Sequence, residues 1–118
     1  MSTESKRPSV QRQHLATVTV GRSIDRVEAH RVTLQPGQPT GLHFHAGGTI
    51  GFVVDGEIAF QLEGGPLTTL QSGDGFFEPA GQHVARFDNL SDTQAATFIA
   101  CYPLAGEETL ITMIEPQA

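Results

Sequence analysis

The alternation of apolar and polar residues divides the chain into short segments with a two-residue period, which is the period of a half-buried β-strand. Residues 15–20 and 25–35 alternate in this way, and Pro36-Gly37 ends the second segment. Residues 49–54 are apolar on both faces, which is typical of a strand buried between two sheets. The pair Asp55-Gly56 predicts a hairpin turn, so residues 57–62 are predicted to be the returning strand.

Further short strands are predicted between turns rich in glycine, proline and asparagine. They cover residues 43–45, 67–71, 76–78, 82–87 and 97–102, while residues 109–114 form either a last strand or a single helical turn. Turn signals spaced roughly 6 to 12 residues apart between short strands are typical of a β-sandwich or a small barrel. The sequence therefore predicts an all-β fold.

Composition agrees with this architecture and limits its size. The 118 residues include 13 glycines and 7 prolines, which is many for a chain of this length. Residues 1–13 are polar and short of large apolar side chains, so we expect a flexible N-terminal arm, or a strand that orders only against a partner subunit. Residues 14–118 are expected to form a single domain with one core.

Charge, hydropathy and cysteine content exclude several classes of protein. A net charge of -6 argues against a general nucleic-acid-binding role, which needs a basic surface. No apolar run approaches the roughly 20 residues that a membrane-spanning helix needs, and the first residues lack the apolar segment of a secretory signal. Cys101 is the single cysteine and has no internal disulfide partner. We therefore expect a cytoplasmic protein that binds neither nucleic acid nor membrane.

Two histidines one residue apart are the most informative feature of the sequence. Residues i and i+2 of a strand point to the same face, so His43 and His45 point together and Phe44 points the other way. Two imidazoles side by side on one strand face are half of a metal site, or half of the floor of a polar pocket. The residues alone leave both interpretations open.

The spacing around these histidines resembles the two sequence motifs of the cupin family. The matching positions, in chain order, are Gly37, His43, His45, Gly56, Gly73, Pro79, Gly81 and Asn89. Several spaced positions that match together are more specific than a lone His-x-His pair. The resemblance implies a double-stranded β-helix, the jelly-roll β-sandwich barrel of the small single-domain, RmlC-like cupins.

At two positions the chain departs from the metal-ligand pattern of the family. Thr49 stands where the family has a glutamate, and a neutral hydroxyl is a poor substitute for a carboxylate on a divalent ion. The third family histidine would fall at Val84 or Ala85. His83 lies one or two residues earlier and is the candidate third ligand, because residues 83 and 85 face the same way in an unbroken strand.

The resemblance implies a small metalloenzyme. A divalent transition metal (Zn, Ni, Mn, Fe or Cu) would be bound by His43, His45 and His83. It would serve an isomerase, cyclase, lyase or dioxygenase reaction on a small oxygenated metabolite.

Thr49, Glu78 and Gln38 are the candidates for the surrounding substrate pocket. The threonine at position 49 also supports an alternative function without a metal. In that case the pocket binds a sugar or another small molecule, either with His43 as a general base or as a sensor with no catalytic activity.

The quaternary structure is expected to be a homodimer. Small cupins that resemble this chain are usually dimers that pair sheet edges and exchange N-terminal strands. An open sandwich also has unpaired strand edges that need protection.

Overall fold

The fold is an all-strand sandwich. A computed structural model describes residues 8–114, and all regular secondary structure within them is β-strand. In chain order the strands are β1 Arg26–Leu34, β2 His43–Phe44, β3 Thr49–Asp55, β4 Glu57–Leu62, β5 Thr68–Gln71, β6 Gly75–Glu78, β7 Val84–Asn89, β8 Ala96–Leu104 and β9 Thr112–Met113. None of the described residues belongs to a helix that could cross a membrane.

Two antiparallel sheets make up the sandwich. The first contains four strands in the order β1-β8-β3-β6, and the second contains five strands in the order β5-β4-β7-β2-β9. Apart from β4 and β5, the neighbours in the sheets are not consecutive in the sequence, as in the pairing of β1 with β8 over the full length of both strands. The predicted all-β jelly roll is confirmed by this architecture.

The core follows from the two-residue alternation of the strands. β8 buries every second side chain from Ala96 to Leu104. Phe98 of this strand packs against Phe87 of β7 with ring centroids 4.8 Å apart, and Phe87 packs against Phe76 of β6 at 4.9 Å. Aromatic pairs at these separations stabilise the contact between the two sheets.

The turn predicted at Asp55-Gly56 joins β3 to β4, but the predicted hairpin is wrong, because β3 belongs to the four-stranded sheet and β4 to the five-stranded sheet, so the two strands do not pair. Gly56 adopts a φ of 98°, and a Cβ atom at this position would lie 2.8 Å from the Cβ atom of Ala96. Both the left-handed backbone and the close approach of β8 therefore require glycine.

The side chain of Asn89 hydrogen-bonds the end of β7 to the end of β1 and to the loop that follows β7. Its side chain is buried, and its amide nitrogen lies 2.7 Å from the carbonyl oxygen of Gln94, 3.1 Å from that of Gln35 and 3.3 Å from that of Leu34. Its amide oxygen accepts the N–H of Ser91 at 2.9 Å. One side chain thus satisfies main-chain groups of two segments, residues 34–35 and residues 91–94.

The N-terminal segment differs from its prediction. Residues 15–20, which alternate in the sequence, form no strand, and the predicted arm lies partly outside the described residues. Leu15 packs on the face of β6 where Gly75 has no side chain, since a Cβ atom there would lie 2.6 Å from the Cβ atom of Leu15. The segment around Leu15 therefore lies over a face of β6. A segment in this position does not form the main-chain hydrogen bonds of a strand paired along the edge of β6. Residues 109–114, for which two interpretations were open, contain the short strand β9.

Candidate metal centre

β2 and the turn that follows it place two histidines in the interior of the sandwich. His43 pairs with Val84 of β7 and is only 3% exposed. His45 lies one residue beyond β2 and is 5% exposed, and its ring centroid lies 5.0 Å from that of His43. The two imidazoles are therefore buried side by side.

The turn after His45 is held against two other strands by its glycines. A Cβ atom at Gly47 would lie 1.9 Å from the carbonyl oxygen of Pro103 in β8. Gly48 has a φ of 81°, and a Cβ atom there would lie 2.8 Å from the carbonyl oxygen of Glu78. Only glycine fits both positions, and this close packing brings His45 to the end of β6.

Glu78 supplies the carboxylate of the site, and it comes from the strand next to the one expected. The family resemblance places a carboxylate at position 49 of β3, where this chain has threonine. Glu78 of β6 is the register partner of Thr49, so the two side chains emerge on the same face of the sheet. Glu78 is 2% exposed, and its Oε1 lies 3.1 Å from Nε2 of His45.

Hydrogen bonds to the main chain fix the orientation and tautomer of both imidazoles. Nδ1 of His43 lies 2.7 Å from the carbonyl oxygen of Gly41, and Nδ1 of His45 lies 2.6 Å from that of Leu110. A carbonyl oxygen can only accept, so each Nδ1 carries a proton and donates it. In the neutral rings each Nε2 then has a free lone pair. Metal-binding histidines in proteins commonly have this arrangement.

In a neutral His45 ring, Nε2 is an acceptor and faces another acceptor, Oε1 of Glu78. A proton or a metal ion must therefore lie between these two atoms. Burial lowers the pKa of His45, but the hydrogen bond and the charge of Glu78 outweigh burial and raise this pKa above its ordinary value. A proton on Nε2 therefore satisfies the pair in the protein without an ion. For His43 burial is the dominant effect and lowers the pKa, so this ring is neutral at pH 7.

The three side chains fit a divalent transition metal. His43, His45 and Glu78 each offer one ligand atom, and these atoms all lie within 4.8 Å of one another. Two imidazoles and one carboxylate are a donor set that suits ions such as Fe, Mn, Ni and Zn. The side chains are buried and held by other elements, so their positions are determined by the fold. These three residues could hold one metal ion.

Tyr102 is a residue of this site that the sequence did not reveal. It is buried on β8, with its ring centroid 5.1 Å from that of His45 and 5.6 Å from that of His30. Burial, with a smaller contribution from the charge of Glu78, raises the pKa of Tyr102 to about 12. Its phenol is therefore protonated at neutral pH and can donate a hydrogen bond. The alternation of β8, which points residue 102 inward, is the sequence signal that could have identified it.

His83 does not join the two interior histidines. It precedes β7, whose first residue Val84 faces the interior opposite His43, so the side chain before it falls on the other face. The ring of His83 stacks on Phe44 with centroids 5.8 Å apart, and its Nδ1 lies 3.3 Å from Oε1 of the exposed Glu63. The geometry therefore replaces His83 by Glu78 in the candidate ligand set.

The three predicted pocket residues have different positions. Glu78 belongs to the cluster itself. Thr49 lies beside it but donates its hydroxyl proton to the carbonyl oxygen of Cys101 at 2.9 Å. Gln38 is exposed, and its Oε1 accepts the N–H of Gln35 at 2.9 Å, so this side chain stabilises a turn away from the histidines.

Comparison with known proteins identifies the family to which this chain belongs. Residues 30–102 match the sequence family described as "Cupin domain", which covers more than half of the chain. The protein is therefore a cupin. No curated protein matches the sequence significantly.

Solved structures with the same fold include several enzymes. The DMSP lyase DddQ from Ruegeria pomeroyi DSS-3 is 25% identical with a TM-score of 0.65, over 78% of this chain and 45% of that one. A sugar phosphate isomerase of the cupin superfamily from Silicibacter pomeroyi DSS-3 is 27% identical with a TM-score of 0.55, over 69% of this chain and 51% of that one. The polyketide cyclase RemF from Streptomyces resistomycificus shares the fold at 20% identity, with a TM-score of 0.63 and coverage of 79% and 63%. The chain thus spans about half the length of the lyase and the isomerase.

Proposed function

We propose that the protein binds one divalent transition metal ion through His43, His45 and Glu78 and acts as a small-molecule enzyme. The observation that carries this proposal is the hydrogen bonding of the imidazoles. Both Nδ1 protons are held by main-chain carbonyls, so in each neutral ring Nε2 is the nitrogen that can bind a metal ion. Oε1 of the buried Glu78 lies 3.1 Å from Nε2 of His45. A cation bound between these two atoms would interact favourably with both.

The proposed reaction is the isomerisation, cyclisation, lyase cleavage or dioxygenation of a small oxygenated metabolite. A bound ion would polarise a substrate oxygen as a Lewis acid, or activate dioxygen if it is iron. The similarity to a lyase and to a sugar phosphate isomerase supports this set of reactions.

The side chains around the ligands have separate roles in this proposal. The lowered pKa of His43 keeps its imidazole neutral and available as a ligand at neutral pH. Tyr102, protonated because burial raises its pKa to about 12, donates a hydrogen bond to a substrate oxygen beside His45. The hydroxyl of Thr49 is bonded to the main chain and shapes the wall of the site.

Metal content tests this function directly. Protein purified without an affinity tag is stripped with a chelator, reloaded separately with Zn, Ni, Mn, Fe and Cu, and analysed by inductively coupled plasma mass spectrometry. We expect about one equivalent of ion in the wild type, which His43→Ala and His45→Ala lose and His14→Ala, outside the cluster, retains. Less than about a tenth of an equivalent of every metal in the wild type would contradict the proposal.

A function without a metal is the second candidate, and the His45–Glu78 contact favours it. A buried imidazolium–carboxylate pair satisfies itself with a proton, next to a neutral imidazole on His43 that has a free Nε2. This arrangement suits a general base acting on a sugar-type substrate, or a binding pocket without activity. Substrate turnover or binding that is unchanged after exhaustive chelation distinguishes this candidate from the first.

We further propose a cytoplasmic homodimer. Phe52, Val54 and Phe77 lie on β3 and β6 and are 38%, 46% and 44% exposed, which is typical of a surface that a partner covers. Light scattering is expected to give twice the 12.6 kDa mass of the chain. Phe52→Asp is expected to produce a monomer, whereas Leu67→Asp, at an exposed position in the loop before β5, leaves the dimer intact. A wild-type particle of single-chain mass contradicts the proposal.

A further inference from the structure

We propose that a cavity between β4 and β6, separate from the candidate metal ligands, binds a small, uncharged and mostly apolar molecule. Its volume is about 470 Å³, which lies within the range of small-molecule sites in proteins. Phe60, Leu62, Phe76 and Phe77 form its walls, and residues 14–17, called the roof segment below, lie over it. None of the three candidate metal ligands lines it, so this inference does not rest on the proposed metal.

The cavity exists because two strands at this side of the sandwich leave space between them. β6 is the last strand of the four-stranded sheet, while β4 belongs to the five-stranded sheet. Phe60 and Phe76 meet between them with ring centroids 6.2 Å apart. Gly75 also lines the cavity and contributes no side chain to it. Aromatic walls of this kind suit an apolar ligand with a flat or branched body.

The roof segment depends on the absence of a side chain at position 75. A Cβ atom added at Gly75 would lie 2.6 Å from the Cβ atom of Leu15 and 2.6 Å from the carbonyl oxygen of Leu15. Leu15 therefore occupies the space that a side chain at position 75 would need. The φ of Gly75 is not in the left-handed region, so alanine is compatible with the backbone there. Gly75→Ala is thus expected to displace the roof segment without disturbing β6.

The polar groups of the cavity determine the chemical class of the ligand. Among residues 8–114 no Asp, Glu, Lys or Arg lines it, and the polar side chains that do are His14 and Thr17 of the roof segment. Nε2 of His14 and Oγ1 of Thr17 form a hydrogen bond of 2.7 Å, which a ligand hydroxyl or carbonyl can join or replace. A charged ligand would lose hydration there without gaining a counter-charge. The ligand class is therefore an apolar molecule with one hydroxyl or carbonyl group.

Binding of 1-naphthol to the metal-stripped protein tests this inference, with naphthalene-1-sulfonate as the charged control on the same ring system. We expect saturable one-to-one binding of 1-naphthol by calorimetry, a thermal midpoint that rises with its concentration, and binding of the sulfonate at least about tenfold weaker. Ala16→Trp, which places an indole in the cavity, and Gly75→Ala are each expected to weaken binding of 1-naphthol by about tenfold or more. Thr19→Trp, two residues beyond the roof segment and outside the cavity, is expected to bind like the wild type.

Three results would overturn the inference. They are the absence of saturable 1-naphthol binding, equal binding by Ala16→Trp and wild type, and equal binding of the alcohol and the sulfonate. Circular dichroism of each variant separates loss of the cavity from loss of the fold. Because the protein is metal-free in this experiment, its outcome is independent of whether the histidine site binds an ion.

Discussion

Thr49 and Glu78 are register partners across β3 and β6. Thr49 occupies the position of the family's carboxylate ligand, and Glu78 supplies the carboxylate. The position that carries a carboxylate in the family holds a hydroxyl bonded to the carbonyl oxygen of Cys101. The carboxylate stands on the adjacent strand, 3.1 Å from Nε2 of His45. Side chains of register partners emerge close together on the same face, so the replacement of glutamate at position 49 leaves the charge of the site in place.

Exchanging these two residues tests the assignment of the carboxylate. Glu78→Gln keeps the size of the side chain but removes its charge, and we expect it to weaken metal binding by about 100-fold or more. The double variant Thr49→Glu/Glu78→Thr returns the carboxylate to the family position and is expected to recover affinity to within about tenfold of the wild type. Competition titration with a chromophoric chelator measures both. Glu63→Gln, which alters the exposed carboxylate beside His83, is the control and should have no effect.

His83 provides a test of which histidines are ligands. Its ring stacks on Phe44 and faces the surface, so His83→Ala is expected to change metal affinity by no more than about twofold. Titration of this variant beside His43→Ala under the same conditions measures the difference. Loss of the ion from His83→Ala would show that His83 moves into the interior when metal binds.

Metal affinity is predicted to depend on pH through His45. Its pKa is raised above the ordinary value of 6.5 by Glu78 despite the opposing effect of burial, so protons compete with the metal even above that pH. Below the pKa of His45, affinity should fall by about tenfold for each pH unit. Glu78→Gln removes the charge that raises this pKa, so the fall should begin at a lower pH. Calorimetric titrations across this range measure the profile, and a flat profile would contradict the assignment.

The stability of the metal-free protein should respond to the same pKa with the opposite sign. Because the folded pKa of His45 is raised, its contribution to stability is complete below the unfolded pKa and is lost as the pH rises through the folded pKa. His43 has a lowered pKa, and its contribution is lost instead as the pH falls below the ordinary histidine value. Urea unfolding of the wild type and of His43→Ala across this range separates the two contributions.

Asn89 is predicted to be the main polar support of the fold outside the metal centre. Asn89→Ala leaves three main-chain carbonyls and one N–H without their partner, and we expect it to lower the free energy of unfolding by about 3 kcal/mol. Asn89→Asp should be at least as damaging, because a carboxylate cannot donate to those carbonyls. Asp92→Ala in the adjacent exposed turn is the control, expected within about 0.5 kcal/mol of the wild type. Urea denaturation provides the values, and a small effect at position 89 would contradict this role.

The strands were largely predictable because local pattern and tertiary context agree. β1, β3 and β4 lie where the apolar pattern and the turn residues predict them, and the turn at Gly56 is visible in the sequence. The turn carries the chain from one sheet to the other and closes no hairpin, because strand pairing depends on the whole sheet and not on the turn residues alone. Residues 15–20 were not predictable in the same way. Leu15 packs against β6 at Gly75, and single-sequence periodicity cannot distinguish such a long-range contact from strand pairing.

The site was only half predictable for a related reason. The His-x-His spacing identifies two side chains on one face, but the remaining members come from distant strands. Glu78 reaches the pair through the register between β3 and β6, and Tyr102 reaches it through β8. Register between strands far apart in sequence depends on the whole sheet, so neither assignment follows from local spacing. His83 was predicted to be a ligand from local spacing alone. It directly precedes Val84, which faces His43, so its side chain lies on the opposite face.

An anomalous-difference map from a crystal of metal-loaded protein, collected at the absorption edge of the bound ion, tests the central claim most directly. The account predicts one strong peak within bonding distance of Nε2 of His43, Nε2 of His45 and a carboxylate oxygen of Glu78. The absence of a peak at these three atoms after loading with each candidate metal would contradict it. A peak bound by His83 in place of Glu78 would contradict it equally.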